Sequence, residues 1–387
     1  MRVFFTLLCW LPLATSAAAA DPLGPWRHNV RVSTAGSELP RHTIHAYYLT
    51  CPESPDGRQV LFYASTEASG HHGELIVLDR TSGAETIIAR NITTEDAHRA
   101  ACQQWVSGGK RVAFHDVREG RWLVAAVDLP SAQERVVARD RQLAFGQPTG
   151  DVVPLYGCHW NPGDHRDLEL VNVATGESHV ALTAACAEEE YSAWLKDEFG
   201  DRQTSIFFPV LSPDRSRVFF KIAAGSGGDD FRSSSASHRQ GLFVYDLAAS
   251  RFLCMRSTWG HPAWHPDSRT IIEIGPILID SDDGASTRIA NVPSLRGSHP
   301  SVSPDGTLFV TDGLLDALAD EPGQWGVMVG DLRGGAFVVL HKFDNSRGAR
   351  SWRVSHPHPA FSPDGRRIYF NESSGQWTRL RVIEAGG

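Results

Sequence analysis

A tight-turn signal followed by a short apolar run recurs along the whole chain. Its clearest copy is Ser362-Pro363-Asp364-Gly365 ahead of Ile368-Tyr369-Phe370. Proline presets φ, glycine accepts a positive φ, and the alternating run behind them reads as a β-strand. Asp56-Gly57, Gly108-Gly109, Gly163-Asp164, Asp214, Asp267, Asp305-Gly306 and Asp364-Gly365 each precede such a run, among them Val60-Leu61-Phe62-Tyr63, Val218-Phe219-Phe220 and Leu308-Phe309-Val310. Pro55 and Pro363 lie 308 residues apart, six steps of about 51 residues, a period typical of propeller blades. Seven turns predict an all-β, seven-bladed β-propeller. The second and third turns are degenerate, which leaves six or eight blades open.

The repeat overrides the two domains that the length would suggest, because blades bury their faces against one another. Residues 21–387 are therefore expected to form one domain. Residues 1–20 read as a signal peptide, with Arg2, an apolar stretch from Phe4 to Leu13 and a small-residue end at Ala18-Ala19-Ala20. Export to the periplasm or beyond follows as an expectation, with no membrane anchor, since no further run of roughly 20 apolar residues appears. A formal charge of −8 without basic blocks argues against nucleic acid as a partner. Cys9 leaves with the signal, and Cys51, Cys102, Cys158, Cys186 and Cys254, an odd number at scattered spacings, do not read as a disulfide framework; at most two bridges are expected, with one thiol free or on a metal. Asp21 to His45 is expected to close the ring on the last blade, His45 to Leu49 to form a strand, and Ala184 to Gln203 a short helix. Gly225 to Ser237 reads as a polar, mobile loop.

Histidines follow the repeat. His261, His299 and His358 each stand five residues before a turn proline (Pro266, Pro304 and Pro363), and each precedes a proline. Equivalent positions on neighbouring blades converge towards the propeller axis. His-Pro-His-Pro reads as extended, because a residue before proline is pushed out of the helical region. That places His356 and His358 on one side of the chain. Three or four neutral imidazoles suit Zn²⁺, Mn²⁺ or another borderline divalent ion, with His261 either a ligand or a free base. The competing reading makes His-Pro a repeat-consensus feature bonded within each blade, but Thr50 and Phe208 occupy the same place in the first and fourth repeats. His98, His115 and Tyr156 form a second constellation, in which a His/Tyr pair can act as base and acid. Arg239 and Arg353 are the cations best placed in sequence to hold a substrate carboxylate.

With those residues in view, the chain from about Arg166 onward resembles the oligogalacturonate lyases, which are seven-bladed propellers, and more loosely the propeller-type ulvan lyases. The most specific motif is His356-Pro357-His358-Pro359-Ala360-Phe361-Ser362-Pro363, supported by Gly297-Ser298-His299 and Gly260-His261-Pro262-Ala263-Trp264. Generic Ser-Pro-Asp-Gly repeats also occur in TolB-like propellers. The resemblance implies a divalent metal on His299, His356 and His358, His261 as base, Arg239 on the substrate carboxylate, and a uronate-containing oligo- or polysaccharide as substrate. There are two departures. Arg353 stands where the family has a glutamine ligand, and the export signal is foreign to a typically cytoplasmic family. His98, His115 and Tyr156 look more like the catalytic groups of ulvan lyases. The implied reaction is β-elimination, in which a base removes the proton α to the carboxylate. Two further readings compete: a non-catalytic TolB-like binding propeller, and a metal-dependent hydrolase using Asp312 or Glu372 to activate water.

Overall fold

The structure, a computed structural model, describes residues 21–318 and 322–386, so the expected signal peptide lies outside the described residues. Among the described residues, twenty-eight strands form seven four-stranded antiparallel sheets, the blades of a β-propeller. The first blade comprises His42–Ile44, Gln59–Ser65, His72–Asp79 and Glu85–Thr93. Blades two to six occupy residues 104–139, 141–182, 205–256, 263–288 and 301–343. The seventh takes Ala360–Phe361, Arg367–Glu372 and Arg379–Glu384 from the C-terminus and Arg31–Thr34 from the N-terminus, Arg31 standing opposite Glu384. The N-terminal segment thus closes the ring as its sequence suggests. No helix among the described residues is long and apolar enough to cross a membrane.

The turn motif recurs because its side chains complete the backbone. In Ser54-Pro55-Asp56-Gly57 the serine hydroxyl donates to Asp56 Oδ1 at 2.6 Å and accepts from Gln59 N at 3.0 Å. Ser362, Asp364 and Arg367 repeat the pattern. Gly57, Gly306 and Gly365 hold φ near +70° (74°, 70° and 70°), a region that costs glycine nothing. Arg215 and Ser268 accept the same conformation in the fourth and fifth turns, which lack the glycine, at 65° and 60°. Central strands read as continuous apolar runs because both faces are covered by neighbouring blades: Ile368, Tyr369 and Phe370 are all buried. Each such side chain contributes about 1.5–3 kcal/mol.

Four expectations need correction. The inner turn of the third blade is Pro148-Thr149-Gly150, between Arg141–Leu143 and Val152–Gly157, whereas Gly163-Asp164 lies in the following connection. Two glycine turns in one repeat gave the wrong one. The first strand ends at Ile44, and Tyr47 to Thr50 form a turn closed by Thr50 N on Tyr47 O at 3.1 Å. Ala184–Glu190 and Ser192–Phe199 are two helices rather than one. The Gly225 to Ser237 segment is tied down: Arg232 donates to Thr94 O at 2.9 Å, and Phe231 packs on Trp122 and Trp160. All five described cysteines are free thiols.

Ring closure concentrates on Glu53, whose buried carboxylate joins blade one to blade seven. Arg367 donates to both its oxygens at 2.8 Å, and Tyr369 donates its hydroxyl at 2.6 Å. Arg367 also donates to Asp364 at 2.7 Å, so removing Glu53 strands mainly the buried Tyr369 hydroxyl, at a cost of about 1–3 kcal/mol. Glu53→Ala should lower the stability of the folded chain by about that amount in urea unfolding followed by tryptophan fluorescence. A loss below about 1 kcal/mol, the value of an exposed pair, would show that closure rests on the strand pairing alone.

Candidate metal centre and adjoining cavity

The inner strands of blades five, six and seven are the two-residue pairs Ala263–Trp264, Ser301–Val302 and Ala360–Phe361. His261, His299 and His358 each lie two residues ahead of one of them, so blade repetition brings the three rings to the axis. Ring centroids are 4.4 Å apart for His261 and His299, and 4.5 Å apart for His299 and His358. His356 stands 5.2 Å from His299. A further ring, His98, arrives from the connection between blades one and two, 4.6 Å from His356 and 4.4 Å from His358. One nitrogen from each of His98, His299, His356 and His358 falls within 4.8 Å of the others.

Hydrogen bonds aim these nitrogens. Asp312, fully buried on the second strand of blade six, accepts from the backbone N–H of His299 at 2.7 Å. It also lies 2.9 and 3.0 Å from His299 Nδ1 and accepts from His358 N at 3.2 Å. Nδ1 of His299 therefore carries the proton and Nε2 is left as a free donor atom. His98 behaves likewise, with Nδ1 3.4 Å from Val354 O and its N–H on Asp96 at 2.9 Å. His358 has φ of +49°, so His-Pro-His-Pro is not the uniformly extended segment expected. The bond from its N–H to Asp312 helps to hold that left-handed conformation, which costs a non-glycine residue of order 1–3 kcal/mol.

The inward nitrogens have no partner: His98 Nε2, His299 Nε2, His356 Nδ1 and both nitrogens of His358 are buried and unbonded. Orphaned buried polar atoms are costly, and a cation shared by one nitrogen of each ring would satisfy those of the cluster. Burial pushes His299 and His356 down to about 3, and His98, His358 and His261 well below the ordinary histidine value. All are then neutral at neutral pH, the form that ligates metal. Burial also raises Asp312 to about 7. The donor set fits a divalent borderline ion.

Beside this centre lies a cavity of about 350 Å³. Its walls include Tyr47, Lys221, Arg239, Trp259, His261 and Arg353, and it meets the centre where His261 faces His299 and where Tyr47 packs 4.5 Å from His358. His261 lies outside the four-nitrogen cluster, with Nδ1 unbonded. Arg239 lies over Phe207 and Arg353 over Trp352. Arg99 also lines the cavity but is paired with Glu95 at 2.7 Å. Burial would raise Glu95, yet Arg99 and His159 hold it well below the usual carboxylate range.

The second constellation does not assemble as one group. His98 joins the centre. His115 is buried on blade two, accepting from Leu143 N at 3.3 Å and packed on Trp122. Tyr156 is buried on the second strand of blade three, where its oxygen accepts from Arg99 at 3.1 Å. Glu372 pairs with His341 and Arg381, away from the cluster, and both oxygens of Asp312 are engaged. Tyr47 and Lys221, both in the cavity wall, were missed: Tyr47 looked like a strand residue, and Lys221 like the polar member of an alternating strand.

Asp312→Asn keeps the shape but replaces one acceptor oxygen with a donor NH₂, and outer partners of this kind are worth about 10–100-fold in metal affinity. Calorimetric titration with Zn²⁺ and Mn²⁺ should show that loss. Affinity equal to the parent protein's would mean that Asp312 does not orient the ligands.

No family model and no curated protein matches the sequence. Among solved structures, an oligogalacturonate lyase in complex with manganese aligns with a TM-score of 0.61 at 17% identity, over 92% of this chain and 96% of that one. Oligogalacturonate lyase from Vibrio parahaemolyticus also gives 0.61, at 14% identity over 92% and 97%. The mitotic checkpoint complex gives 0.54 at 12% identity, over 99% of each chain. At these identities the likeness is one of fold, and the fold is that of the oligogalacturonate lyases.

Proposed function

We propose that the protein is a metal-dependent polysaccharide lyase that cleaves uronate-containing oligo- or polysaccharides by β-elimination. The carrying observation is the convergence of four unbonded imidazole nitrogens beside a cation-lined cavity, with a fifth imidazole, His261, on their common wall. The likeness in fold to an oligogalacturonate lyase in complex with manganese supports it. His98, His299, His356 and His358 would hold the ion, Mn²⁺ or Zn²⁺. His98 then supplies the ligand that Arg353, standing in place of the family's glutamine, does not. When bound, such an ion withdraws charge from a carboxylate as a Lewis acid.

Arg239 and Arg353 bind and orient the uronate carboxylate, making the α proton more acidic by taking up the charge that develops there. His261 is neutral and accepts that C5 proton. The C5–H electron pair becomes the C4=C5 double bond, the C4–O bond breaks, and the departing oxygen takes a proton. Tyr47 is the tyrosine that lines the cavity, and burial raises its phenol to about 12, so it holds a proton to give at neutral pH. Tyr156 does not line the cavity itself; its oxygen accepts from Arg99, which does, and the acid role falls to Tyr47.

Metal-replete protein should raise the ultraviolet absorbance of unsaturated uronates on oligogalacturonates or on ulvan, and a chelator should abolish it. His261→Ala should cut kcat by about 10²–10⁴-fold, the worth of a general base, with the metal content unchanged. Metal-loaded protein inert on every uronate substrate, or His261→Ala turning over at the parent rate, would overturn the reading.

A further inference from the structure

Lys221 lies on Arg217–Gly225, the second strand of blade four, between two irregular ladders. Pairing with Ser205–Leu211 shifts between Phe207 and Val210, and pairing with Ser237–Asp246 shifts between Phe220 and Ile222. Phe208, at φ +58°, and Gly241, at φ +80°, lie at these breaks. Bulges of this kind re-aim a side chain. The Lys221 ammonium sits over the face of Trp259, 4.2 Å from the ring centroid, in the same cavity as Arg239 and Arg353.

No ion pair joins any of these three cations to a carboxylate among the described residues; Glu273 acts on Lys221, and Glu95 on Arg239, only from further off. Glu95 is itself taken by Arg99, His159 and Gln142. A single uronate carboxylate brings one negative charge to a wall that presents three side-chain cations, none of them in direct contact with a carboxylate. A second anionic group on the ligand would give the third cation a direct partner. Arginine's planar fork suits a bidentate carboxylate, whereas a lysine is a compact point charge that serves any anionic oxygen.

We infer that Lys221 is a specificity-determining residue that binds a second anionic group, a carboxylate or a sulfate ester, on the sugar next to the uronate being cleaved. The inference rests on the lyase reading for the first carboxylate. Burial and the neighbouring Arg239 and Arg353 push the empty-site amine well below the ordinary lysine range, in keeping with a group whose charge is matched only when an anion arrives.

The test is calorimetric binding to metal-replete protein carrying His261→Ala, so that turnover is suppressed. Three disaccharides are compared: two linked uronates, a uronate linked to a sulfated sugar, and a uronate linked to a neutral sugar. At least one anionic pair should bind about tenfold tighter than the neutral-flanked one, a difference of about 1.4 kcal/mol. Whichever pair shows it identifies the carboxylate or the sulfate. Lys221→Met should erase that preference and leave the neutral-flanked affinity unchanged, and Lys221→Arg should restore part of it. Equal affinity for all three ligands, or equal loss for all three in Lys221→Met, overturns the inference. The preference with no turnover by the parent protein would sink the lyase reading alone, and turnover without the preference would sink this inference alone.

Discussion

A single buried carboxylate organises the centre. Asp312 accepts the backbone N–H groups of His299 and His358 and lies on His299 Nδ1, so residues from two blades are registered by one side chain. The contact fixes which nitrogen of His299 faces the cluster and helps to hold His358 in its left-handed conformation. Without it, burial at the axis would only penalise the histidines. With it, the same burial keeps the rings neutral and their lone pairs directed at one point.

The scaffold around that carboxylate is a set of equivalences and one junction. Blades five, six and seven each deliver a histidine two residues ahead of a two-residue inner strand, and three of the five rings owe their place to this repetition alone. His98 does not belong to the repeat and must be brought in across the closure between blades one and seven. There Asn371 accepts from His45 N and donates to the carbonyls of His45 and His356. Glu53, with Arg367 and Tyr369, locks the same two blades. The position of His98 against His356 therefore depends on contacts spanning more than three hundred residues of sequence.

This division explains what could be read in advance. The turn motif states its own chemistry, since serine, aspartate and glycine satisfy the backbone locally, so the blade count and the ring closure were legible. So were the histidines five residues before a turn proline, because that spacing is a property of the repeat. Tyr47 and Lys221 were not, because a turn inserted after Ile44 and two bulges in blade four decide where they point, and neither leaves an unambiguous mark on the residues. Tyr156 was visible as a candidate too, but its oxygen accepts from Arg99 and it does not itself line the cavity. His98 was visible as a candidate, but its companions in space come from the far end of the chain, and His115 and Tyr156, nearer in sequence, are not among them.

The central claim is that four imidazoles from three separate places hold one ion. X-ray absorption of the zinc-loaded protein at the metal edge measures this directly. One zinc per chain with four imidazole nitrogens in its shell, falling to three in His98→Ala, is the predicted result. A shell of one or two imidazoles, or a spectrum that His98→Ala leaves unchanged, would contradict it.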